Sequence, residues 1–392
     1  MLSGRKIVLG VTGSIAAYKA CELLRLLIKK GAQCSVIMTE EAQRFITPLT
    51  FKALGAQEVF TSDWNQATSA IPHIEATRDA ALLLVAPATA NIMAKAAQGI
   101  ADDLLSSAIL AARCPVAFAP AMNTFMWHNQ ATQRNVAQLT QDGALIIGPA
   151  AGEQACGDVG GGRMLEPREI IELMQGAYVP RILDRCRVLI TAGPTYEPID
   201  PARGITNRSS GKQGFAIAKA AVLAGAEVTL IAGKTSLPTP ASVRRIDVLT
   251  ADEMYDAVMD EVSQHEVFIS VAAVSDWRVA NPSNQKIKKE MGVVPQISFA
   301  TNPDILATVA NLENPPYCVG FAAETENLIE NARAKVVRKN VPLIVANLVE
   351  DAMNQDTNSV AFVEKDSAVT LPKASKEHIA LALIKKIASE VN

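Results

Sequence analysis

The sequence predicts an α/β protein made of two consecutive Rossmann-like domains, each a mostly parallel sheet flanked by helices. Two observations carry this prediction. First, a short apolar run ends in a glycine turn at 6–20, which reads KIVLGVTGSIAAYKA, and the same arrangement returns at 187–198 as RVLITAGPTYEP. Second, a chain of 392 residues exceeds the size at which a single hydrophobic core stops growing, so two domains are expected.

The first domain is expected over residues 1–176. Apolar runs alternate here with helical patterns, and continuous apolar strands are typical of a parallel sheet buried on both faces. The five predicted strands, in order, are KIVLGVT, CSVIMT, LLLVAP, PVAFAP and ALIIG. The helix after the first strand carries Leu23, Leu24, Leu27 and Ile28 on one stripe. The glycine-rich stretch 149–166 predicts irregular structure, and a last helix is expected after it.

Residues 177–186 are expected to join the two domains, and the second domain is expected over 187–392. The α/β pattern restarts here, with strands predicted at RVLITA, EVTLIAG, RRIDVL, VFISVAA, YCVGFAA and LIVAN. Two late β-like pieces, SVAFVE and SAVTL, precede a C-terminal helix. The polar stretches 193–212 and 275–296 are long for a compact α/β domain, and loops of that length are usually functional or mobile.

The composition argues against several classes of protein. The 37 basic and 40 acidic residues are spread evenly, so neither half has the basic field that nucleic-acid binding needs. The six cysteines form no CxxC pair, which argues against a disulfide framework or a structural zinc site and favours a reducing compartment. No charged-then-apolar leader precedes Lys6, and no apolar run reaches membrane-spanning length. We therefore expect a cytoplasmic protein with no membrane or nucleic-acid partner.

Three motifs follow apolar strands of the first domain. VTGSIA (11–16) has the short glycine turn that can hold a phosphate, but the full GxGxxG of a dinucleotide site is absent. PATAN (87–91) and PAMNTFMW (120–127) follow two later strands, so all three motifs are expected at the same carboxyl edge of the sheet. The Asn123 amide has two donors and one acceptor, which suits a carboxylate or a ring edge.

Two further residues of the first domain stand out. His73, in SAIPHIEATRDA, lies just before the LLLVAP strand; taken alone, it reads more readily as a surface histidine. Cys156 lies in ACGDVGGGRM (155–164), flanked by glycines in a loop that could close over a ligand. Arg163 of the same loop is available to bind an anion.

Together these motifs resemble the flavin-containing cysteine decarboxylases, specifically the phosphopantothenoylcysteine decarboxylase of coenzyme A synthesis. In that family FMN oxidises a thiol to a thioaldehyde, which takes up the charge left by departing CO₂. The resemblance implies that His73 is essential to decarboxylation, that Asn123 binds the substrate carboxylate, and that Cys156 is a late proton donor. It implies further substrate contacts at Met126 and Arg163. The implied FMN contacts are Gly13, Ser14, Ile15, Thr39, Ala88 and Thr89.

The second domain has its own polar motifs after strands. TAGPTYEPIDPARGITNRSSGK (191–212) ends like a P-loop, but Gln213 follows Lys212, so GxxxxGK[ST] is not satisfied and a kinase is disfavoured. KIKK (286–289), taken alone, is more typical of a solvated surface segment than of a binding site. Lys335 and Lys339 lie four residues apart on one predicted helix, so two ammonium groups can point at one polyphosphate.

The second half resembles phosphopantothenate–cysteine ligase, in which CTP activates a carboxylate as an acyl-cytidylate and the amine of cysteine then displaces CMP. The resemblance implies Mg²⁺, without indicating its ligands, and catalytic roles for Asn207 and Lys286. The family's loop usually reads NxSSGKMG, whereas here it is NRSSGKQG, so Gln213 could alter the packing of that segment. The implied nucleotide contacts are Asp276, Lys286, Pro303, Asp304, Ile305, Leu306, Phe321, Lys335 and Lys339.

The sequence thus predicts a bifunctional enzyme of coenzyme A synthesis that uses 4′-phosphopantothenate, L-cysteine and CTP and yields 4′-phosphopantetheine. One alternative is a flavin reductase fused to a nicotinamide-binding Rossmann domain, which the missing GxGxxG disfavours. A second is a non-catalytic flavin-binding regulator, which predicts loss of the histidine or of the clamp cysteine. The resemblance also implies a homo-oligomer, in which trimers of the first domain and dimers of the second would build a dodecamer.

Overall fold

The computed structural model describes residues 2–61, 71–288, 296–324, 326–348 and 357–391. The chain divides into two compact units, Met1–Pro180 and Arg181–Asn392.

Both ends of the predicted joining segment belong to a folded unit. Tyr178 donates from its hydroxyl to the carbonyl of Ala81 at 3.0 Å, and Arg5 lies over its ring. Leu183 is buried in the second unit, where its N–H donates to the carbonyl of Ala224 at 2.9 Å.

The first unit is built around a parallel sheet with helices on both sides. Its described strands are β1 (Lys6–Val11), β2 (Gln33–Met38), β3 (Val59–Phe60), β4 (Leu82–Ala88), β5 (Val116–Pro120), β6 (Leu145–Ile146), β7 (Ala150–Glu153) and β8 (Val159–Arg163). Its described α-helices are α1 (Ala17–Lys29), α2 (Pro48–Ala53), α3 (Pro72–Thr77), α4 (Ala90–Gln98), α5 (Leu104–Leu110), α6 (Thr124–His128), α7 (Gln130–Gln141) and α8 (Pro167–Leu173).

The sheet of the first unit has the order β3-β2-β1-β4-β5-β6, and all neighbouring pairs are parallel. Of the predicted stripe of α1, Leu23, Leu24 and Leu27 are fully buried against it and Ile28 is partly buried. The strand β3 was not among the five predicted, because two residues are too short to show a period. Burial of β1 and β4 on both faces explains why their sequences are apolar throughout.

The expectation of irregular structure over 149–166 is wrong, because β7 and β8 form an antiparallel hairpin there. Glycine is ordinarily poor in strands, which is why the composition pointed to a loop. Here it is required by close approach: a Cβ on Gly160 would overlap the Thr124 hydroxyl, and one on Gly162 would overlap the Met122 carbonyl. The hairpin can therefore pack directly against α6 and the end of β5.

The second unit is also built around a sheet flanked by helices, with eight strands in place of six. Its described strands are β9 (Arg187–Ala192), β10 (Tyr196–Asp200), β11 (Arg203–Thr206), β12 (Glu227–Ala232), β13 (Val243–Asp247), β14 (Val267–Ser270), β15 (Trp277–Val279), β16 (Phe299–Thr301), β17 (Tyr317–Glu324), β18 (Leu343–Leu348), β19 (Thr357–Asn358), β20 (Val360–Val363), β21 (Ala368–Thr370) and β22 (Ala374–Ser375). Its described α-helices are α9 (Lys212–Leu223), α10 (Ala251–Glu261), α11 (Ile305–Ala310), α12 (Leu328–Lys339) and α13 (Lys376–Val391).

The main sheet of the second unit has the order β13-β12-β9-β14-β17-β18-β20-β21, parallel as far as β18 and antiparallel beyond it. The prediction of two mostly parallel α/β sheets is confirmed, and the late β-like pieces are β20 and β21. The stretches expected to be loops also contain short strands, since β10 pairs with β11 and β15 pairs with β16.

The first strand of each unit is central in its sheet, with β2 and β4 beside β1 and with β12 and β14 beside β9. The strand order therefore reverses next to each first strand. Crevices form at such reversal points, beyond the carboxyl ends of the strands. Each glycine turn thus opens onto the place where an α/β sheet binds its ligand.

A buried carboxyl group makes the stability of the second unit depend on pH. Glu197 on β10 is 1% exposed, and burial raises the pKa of its carboxyl group, although hydrogen bonds from Thr195 and from the Ala251 N–H oppose the shift. Because the folded state favours the neutral form, this group stabilises the fold at low pH. That stabilisation is lost as the pH rises through the raised pKa.

We therefore expect Glu197→Gln to raise the urea midpoint at pH 7, because the amide still accepts the hydrogen bond from Ala251 but carries no charge. The gain in urea midpoint should disappear below about pH 4, where the Glu197 carboxyl group is protonated and position 197 is neutral in both proteins. Circular dichroism during urea titration measures it. Glu330→Gln, at an exposed position of α12, is the control and should change nothing at either pH. An equal gain at both pH values would contradict the electrostatic explanation.

Candidate functional site

The carboxyl edge of the first sheet brings three predicted motifs together. The Thr12 hydroxyl, just after β1, donates to the carbonyl of Pro87 at 2.7 Å and accepts from the N–H of Thr89 at 3.2 Å. Thr39 follows β2 and donates its N–H to the carbonyl of Val11 at 3.0 Å. The predicted contacts near Gly13, Thr39 and Thr89 therefore lie on neighbouring strand ends.

Hydroxyl groups and one close approach characterise this edge. The side-chain oxygens of Ser14, Thr39 and Thr89 each accept a backbone N–H, and each hydroxyl keeps its own proton for donation to a ligand. A Cβ on Gly13 would lie 2.5 Å from the Cβ of Glu41, so only glycine allows the chain to pass there. Ala88 is fully buried. Donors of this kind fit the phosphate and ribityl hydroxyls of a flavin nucleotide.

Beside this edge lies a cavity of about 600 Å³, bounded by the turn after β1, the start of α6 and the β7–β8 hairpin. Five predicted site residues line it together, namely Ser14, Ile15, Asn123, Cys156 and Arg163. Asn123 is the N-cap of α6, where its Oδ1 accepts from the N–H of Phe125 at 2.9 Å. This cap fixes the amide, so its Nδ2 points to the hairpin and donates to the sulfur of Cys156 at 3.2 Å.

A buried lysine closes another side of the same cavity. Lys19 on α1 is 8% exposed, and its Nζ donates to Glu166 Oε1 at 2.7 Å and to the carbonyl of Met164 at 3.2 Å. Arg163 reaches the same Glu166 oxygen at 3.3 Å. The hydrogen bond from Lys19 is the main reason that the pKa of Glu166 is held below its usual value. Two cations and one carboxylate leave this side of the cavity net positive.

The remaining predicted residues of the first unit are either outside this cavity or strongly exposed. His73 is on α3, half-buried, and is not among the residues that line this cavity. Ile15 lines the cavity but is 63% exposed, and Met126 is 50% exposed on α6 outside the lining. Sequence reasoning missed Lys19 and Asp158. The sequence did contain a signal for Asp158: it lies two residues after Cys156, so its carboxylate can reach the sulfur of the proposed proton donor.

The second unit has a cavity of about 730 Å³ at the carboxyl edge of its sheet. It is bounded by the start of α9, the ends of β14 and β17, the start of α11 and one face of α12. Of the predicted nucleotide contacts, the lining includes Asp276, Pro303, Asp304, Ile305, Leu306, Phe321, Lys335 and Lys339.

The two predicted polyphosphate lysines are each paired with an acid from another element. Lys335 Nζ lies 2.7 Å from Glu324 Oε1 on β17, and Lys339 Nζ lies 2.7 Å from Asp304 Oδ2. Asp304 also caps α11 by accepting from the N–H of Ala307 at 3.1 Å. Burial opposes ionisation of Asp304, but the bonds from Lys339 and Ala307 outweigh it, and the pKa of Asp304 is lowered. Both lysines are thus oriented by acids from neighbouring elements.

Two other predicted residues do not line this cavity. Asn207 lies beside it, and its Nδ2 donates to the carbonyl of Ala273 at 2.8 Å, a residue that does line it. Lys286 is exposed, and its segment is held away by the N–H of Ile287, which donates to Asp200 at 3.1 Å. Lys289 of the same predicted run lies outside the described residues.

Sequence reasoning missed a buried polar corner of this cavity. Asn347, Asn358 and Lys376 line it and are 7%, 2% and 8% exposed. Gln213 also lines it, with its Nε2 donating to the carbonyl of Lys376 at 3.4 Å. Among the described residues, Asn358 Oδ1 and Gln213 Oε1 are buried without a hydrogen-bond partner. The residue that departs from the family's usual loop therefore presents a polar acceptor here rather than packing alone.

Within the described ranges, no three His, Cys, Asp or Glu side chains are grouped closely enough to hold a metal ion. All six cysteines are free thiols. No helix among the described residues is both long enough and apolar enough to cross a membrane.

Two protein families match the chain, one in each unit. Residues 1–178 match the family described as Flavoprotein, and residues 183–391 match the DNA/pantothenate metabolism flavoprotein C-terminal domain.

Individual proteins resemble the chain over its whole length. It is 50% identical over 389 residues to the coenzyme A biosynthesis bifunctional protein CoaBC of Vibrio cholerae, which covers 98% of both chains. It is 48% identical over 394 residues to the CoaBC protein of Escherichia coli strain K12, covering 98% of this chain and 97% of that one. Among solved structures, the C-terminal domain of a CoaBC protein is 38% identical, with 54% of this chain and 97% of that chain covered and a TM-score of 0.46.

Proposed function

The chain belongs to the CoaBC family of bifunctional coenzyme A biosynthesis proteins, and we propose how its two units divide the work. The second unit joins 4′-phosphopantothenate to L-cysteine at the expense of CTP, and the first unit decarboxylates the product to 4′-phosphopantetheine. The observation that carries this division is the pair of cavities, each at the carboxyl edge of its own sheet and each lined by a different set of charged and polar groups.

In the first unit we propose FMN at the hydroxyl-lined edge near Gly13 and Thr89, a position supported by the flavoprotein family match over 1–178. When bound, FMN supplies the redox chemistry that makes loss of CO₂ from a saturated carbon feasible. The protein contributes orientation and proton handling. Asn123 donates to the substrate carboxylate, Arg163 adds positive charge, and Cys156 returns a proton to the carbon that has lost CO₂.

In the second unit we propose that Lys335 and Lys339 bind the triphosphate of CTP. The triphosphate carries more charge than Glu324 and Asp304 together, and it can therefore take over or share their ammonium partners. Asn207, next to the cavity, orients the substrate carboxylate for attack on the nucleotide. Asn358 and Gln213 have buried acceptors that suit a hydroxyl or amino group of a bound substrate.

In the cavity of the second unit we propose one carboxylate as the protein ligand of Mg²⁺. Mg²⁺ in nucleotide sites is usually held by one or two carboxylates together with phosphate oxygens. Asp304 is already committed to Lys339 and to the cap of α11, which leaves Asp276 as the proposed protein ligand. The metal would offset negative charge on the phosphates during transfer of the nucleotidyl group.

We also propose that the protein is a cytoplasmic homo-oligomer. Large apolar side chains near the first cavity are strongly exposed in the single chain, with Ile15 at 63%, Phe125 at 74% and Val159 at 76%. Exposed apolar groups clustered around a site commonly mark an interface. The six free cysteines are compatible with a reducing compartment.

One assay tests the proposed function. Purified protein mixed with 4′-phosphopantothenate, L-cysteine, CTP and Mg²⁺ should release CMP and CO₂ and should show flavin absorbance. His73→Asn should stop CO₂ release and leave CMP formation intact, since the two activities are assigned to different units. His378→Asn, at an exposed position of the second unit, is the control and should retain both. Absence of both products from the unmodified protein would overturn the assignment.

A further inference from the structure

The side chains that the proposed function assigns to substrate binding and to proton donation meet at one oxygen atom. Asp158 Oδ2 accepts a hydrogen bond from Asn123 Nδ2 at 2.6 Å and another from the sulfur of Cys156 at 3.3 Å. Asp158 itself is half-buried in the turn between β7 and β8. The resemblance that singled out Asn123 and Cys156 gave this carboxylate no role.

The position of Asp158 is fixed by the hairpin rather than by chance contact. Gln154 Oε1 accepts from the N–H of Thr124 at 3.0 Å, and Gln154 Nε2 donates to the carbonyl of Gly161 at 3.1 Å, which ties both strands of the hairpin to α6. The N–H of Gln154 in turn donates to the carbonyl of Asp158 at 2.9 Å. The carboxylate is therefore held at the site before substrate binds.

The other charged groups of the cavity do not neutralise this carboxylate directly. Lys19 and Arg163 both bind Glu166, and Glu153 is a further acid on the same hairpin. Among the described residues, the hydrogen bonds of the Asp158 side chain go to the neutral Asn123 amide and to the Cys156 thiol. The carboxylate is therefore shared between the Asn123 amide at 2.6 Å and the Cys156 thiol at 3.3 Å.

We propose that Asp158 is a positioning residue that accepts the S–H hydrogen bond of Cys156 and keeps the Asn123 amide turned into the cavity. This inference rests on the proposed decarboxylase function. A carboxylate 3.3 Å from sulfur accepts the S–H hydrogen bond and repels negative charge that forms on the sulfur. Asn123 Nδ2, which donates to Asp158, is the donor that the substrate carboxylate takes over when it binds.

The proton balance of the step is simple. The S–H bond of Cys156 breaks as a C–H bond forms at the carbon that has lost CO₂, and the sulfur keeps the electron pair as a thiolate. Water then returns a proton to that thiolate. Departure of CO₂ also frees Asn123, so Asp158 can bind the amide again. Repulsion from the Asp158 carboxylate favours rapid reprotonation of the sulfur, which resets the site.

Alkylation of Cys156 in the flavin-loaded protein tests the proposal without depending on decarboxylation. Asp158→Asn keeps the shape of the side chain and removes its charge. At pH 7 we expect iodoacetamide to modify Cys156 about three to ten times faster in this variant, because the thiolate no longer faces a carboxylate. Mass spectrometry of the peptide containing Cys156 separates it from the other thiols. Glu153→Gln, on the same hairpin, is the matched control and should show the unmodified rate.

The pH profile distinguishes an electrostatic role from a loosened hairpin. If the effect is electrostatic, the ratio of the two rates should fall towards one as the pH is raised into the range where thiols in general ionise. A hairpin that had merely opened would react faster at every pH, and that result, or an unchanged rate at pH 7, would overturn the proposal. If Asp158→Asn is unstable, Asp158→Ser removes the same charge and should give the same profile.

The outcomes also separate this proposal from the proposed function. If the unmodified protein releases no CO₂ but Asp158→Asn accelerates alkylation, the assigned reaction is wrong and the coupling of Asp158 to Cys156 stands. If CO₂ is released and alkylation does not change, the reaction stands and the role of Asp158 is wrong.

Discussion

Replacing Asn123 with aspartate should abolish decarboxylation and leave the first unit folded. Aspartate is as good an N-cap as asparagine, so its carboxylate can still accept from the N–H of Phe125 and hold α6 in place. What the substitution removes is the donor that now reaches Asp158 at 2.6 Å and Cys156 at 3.2 Å. A second carboxylate would instead repel both Asp158 and the carboxylate of the substrate.

The expected loss of decarboxylase activity is large, because the substitution replaces a hydrogen-bond donor with a carboxylate that has the same charge as the substrate carboxylate. Losing one hydrogen bond to a charged group costs roughly 1.5–3 kcal/mol, which corresponds to about 10- to 100-fold, and the added repulsion increases it further. We therefore expect CO₂ release to fall by at least about 100-fold. The measurement is CO₂ formed from phosphopantothenoylcysteine by the full chain.

The chain offers a closely matched control for this substitution. Asn129 caps α7 in the same way, its Oδ1 accepting from the N–H of Ala131 at 2.9 Å, but it is exposed and does not line the cavity. Asn129→Asp should therefore decarboxylate at the unmodified rate. If Asn123→Asp retained activity, the amide of Asn123 could not be the group that binds the substrate carboxylate.

Some of this geometry follows from sequence patterns because parallel strands end at a common edge. Asn123 and Asp276 come directly after apolar runs, and each lines the cavity of its own unit. The spacing of Lys335 and Lys339 likewise places both on one side of the second cavity. Asn123 follows β5 closely and both lysines lie within α12, so the position of each in the sequence determines its position in the fold.

The remainder depends on contacts that no local pattern records. The acids that hold Lys335 and Lys339 come from β17 and from the cap of α11, and Asp304 is 35 residues away from Lys339. The position of Asp158 next to Asn123 and Cys156 follows from the hairpin that the glycine-rich stretch forms against α6, which the sequence pattern did not predict. Conversely, His73 and Lys286 are implied by resemblance, but neither lines a described cavity, so their proposed roles remain predictions.

Replacing Lys339 with methionine should impair the ligase reaction through its nucleotide. The side chain is only 22% exposed, so methionine can fill the same space against α11 while the ammonium group is lost. Removing one charged partner of a phosphate costs about 1.5–3 kcal/mol, and we expect kcat/KM for CTP to fall about 10- to 100-fold. The measurement is CMP release at varied CTP with saturating phosphopantothenate and cysteine.

The pairing of Lys339 with Asp304 makes the sign of this prediction informative. If the lysine served only to neutralise Asp304, its removal would destabilise the start of α11 and would affect all three substrates alike. If it binds phosphate, the KM for CTP should rise while the KM for cysteine stays unchanged. Lys386→Met is the matched control, because Lys386 also forms two ion pairs, with Glu364 at 2.7 Å and Glu390 at 2.9 Å, but lies outside the cavity lining. A loss of the same size in Lys386→Met would show that disturbed ion pairing, rather than lost phosphate binding, accounts for the effect.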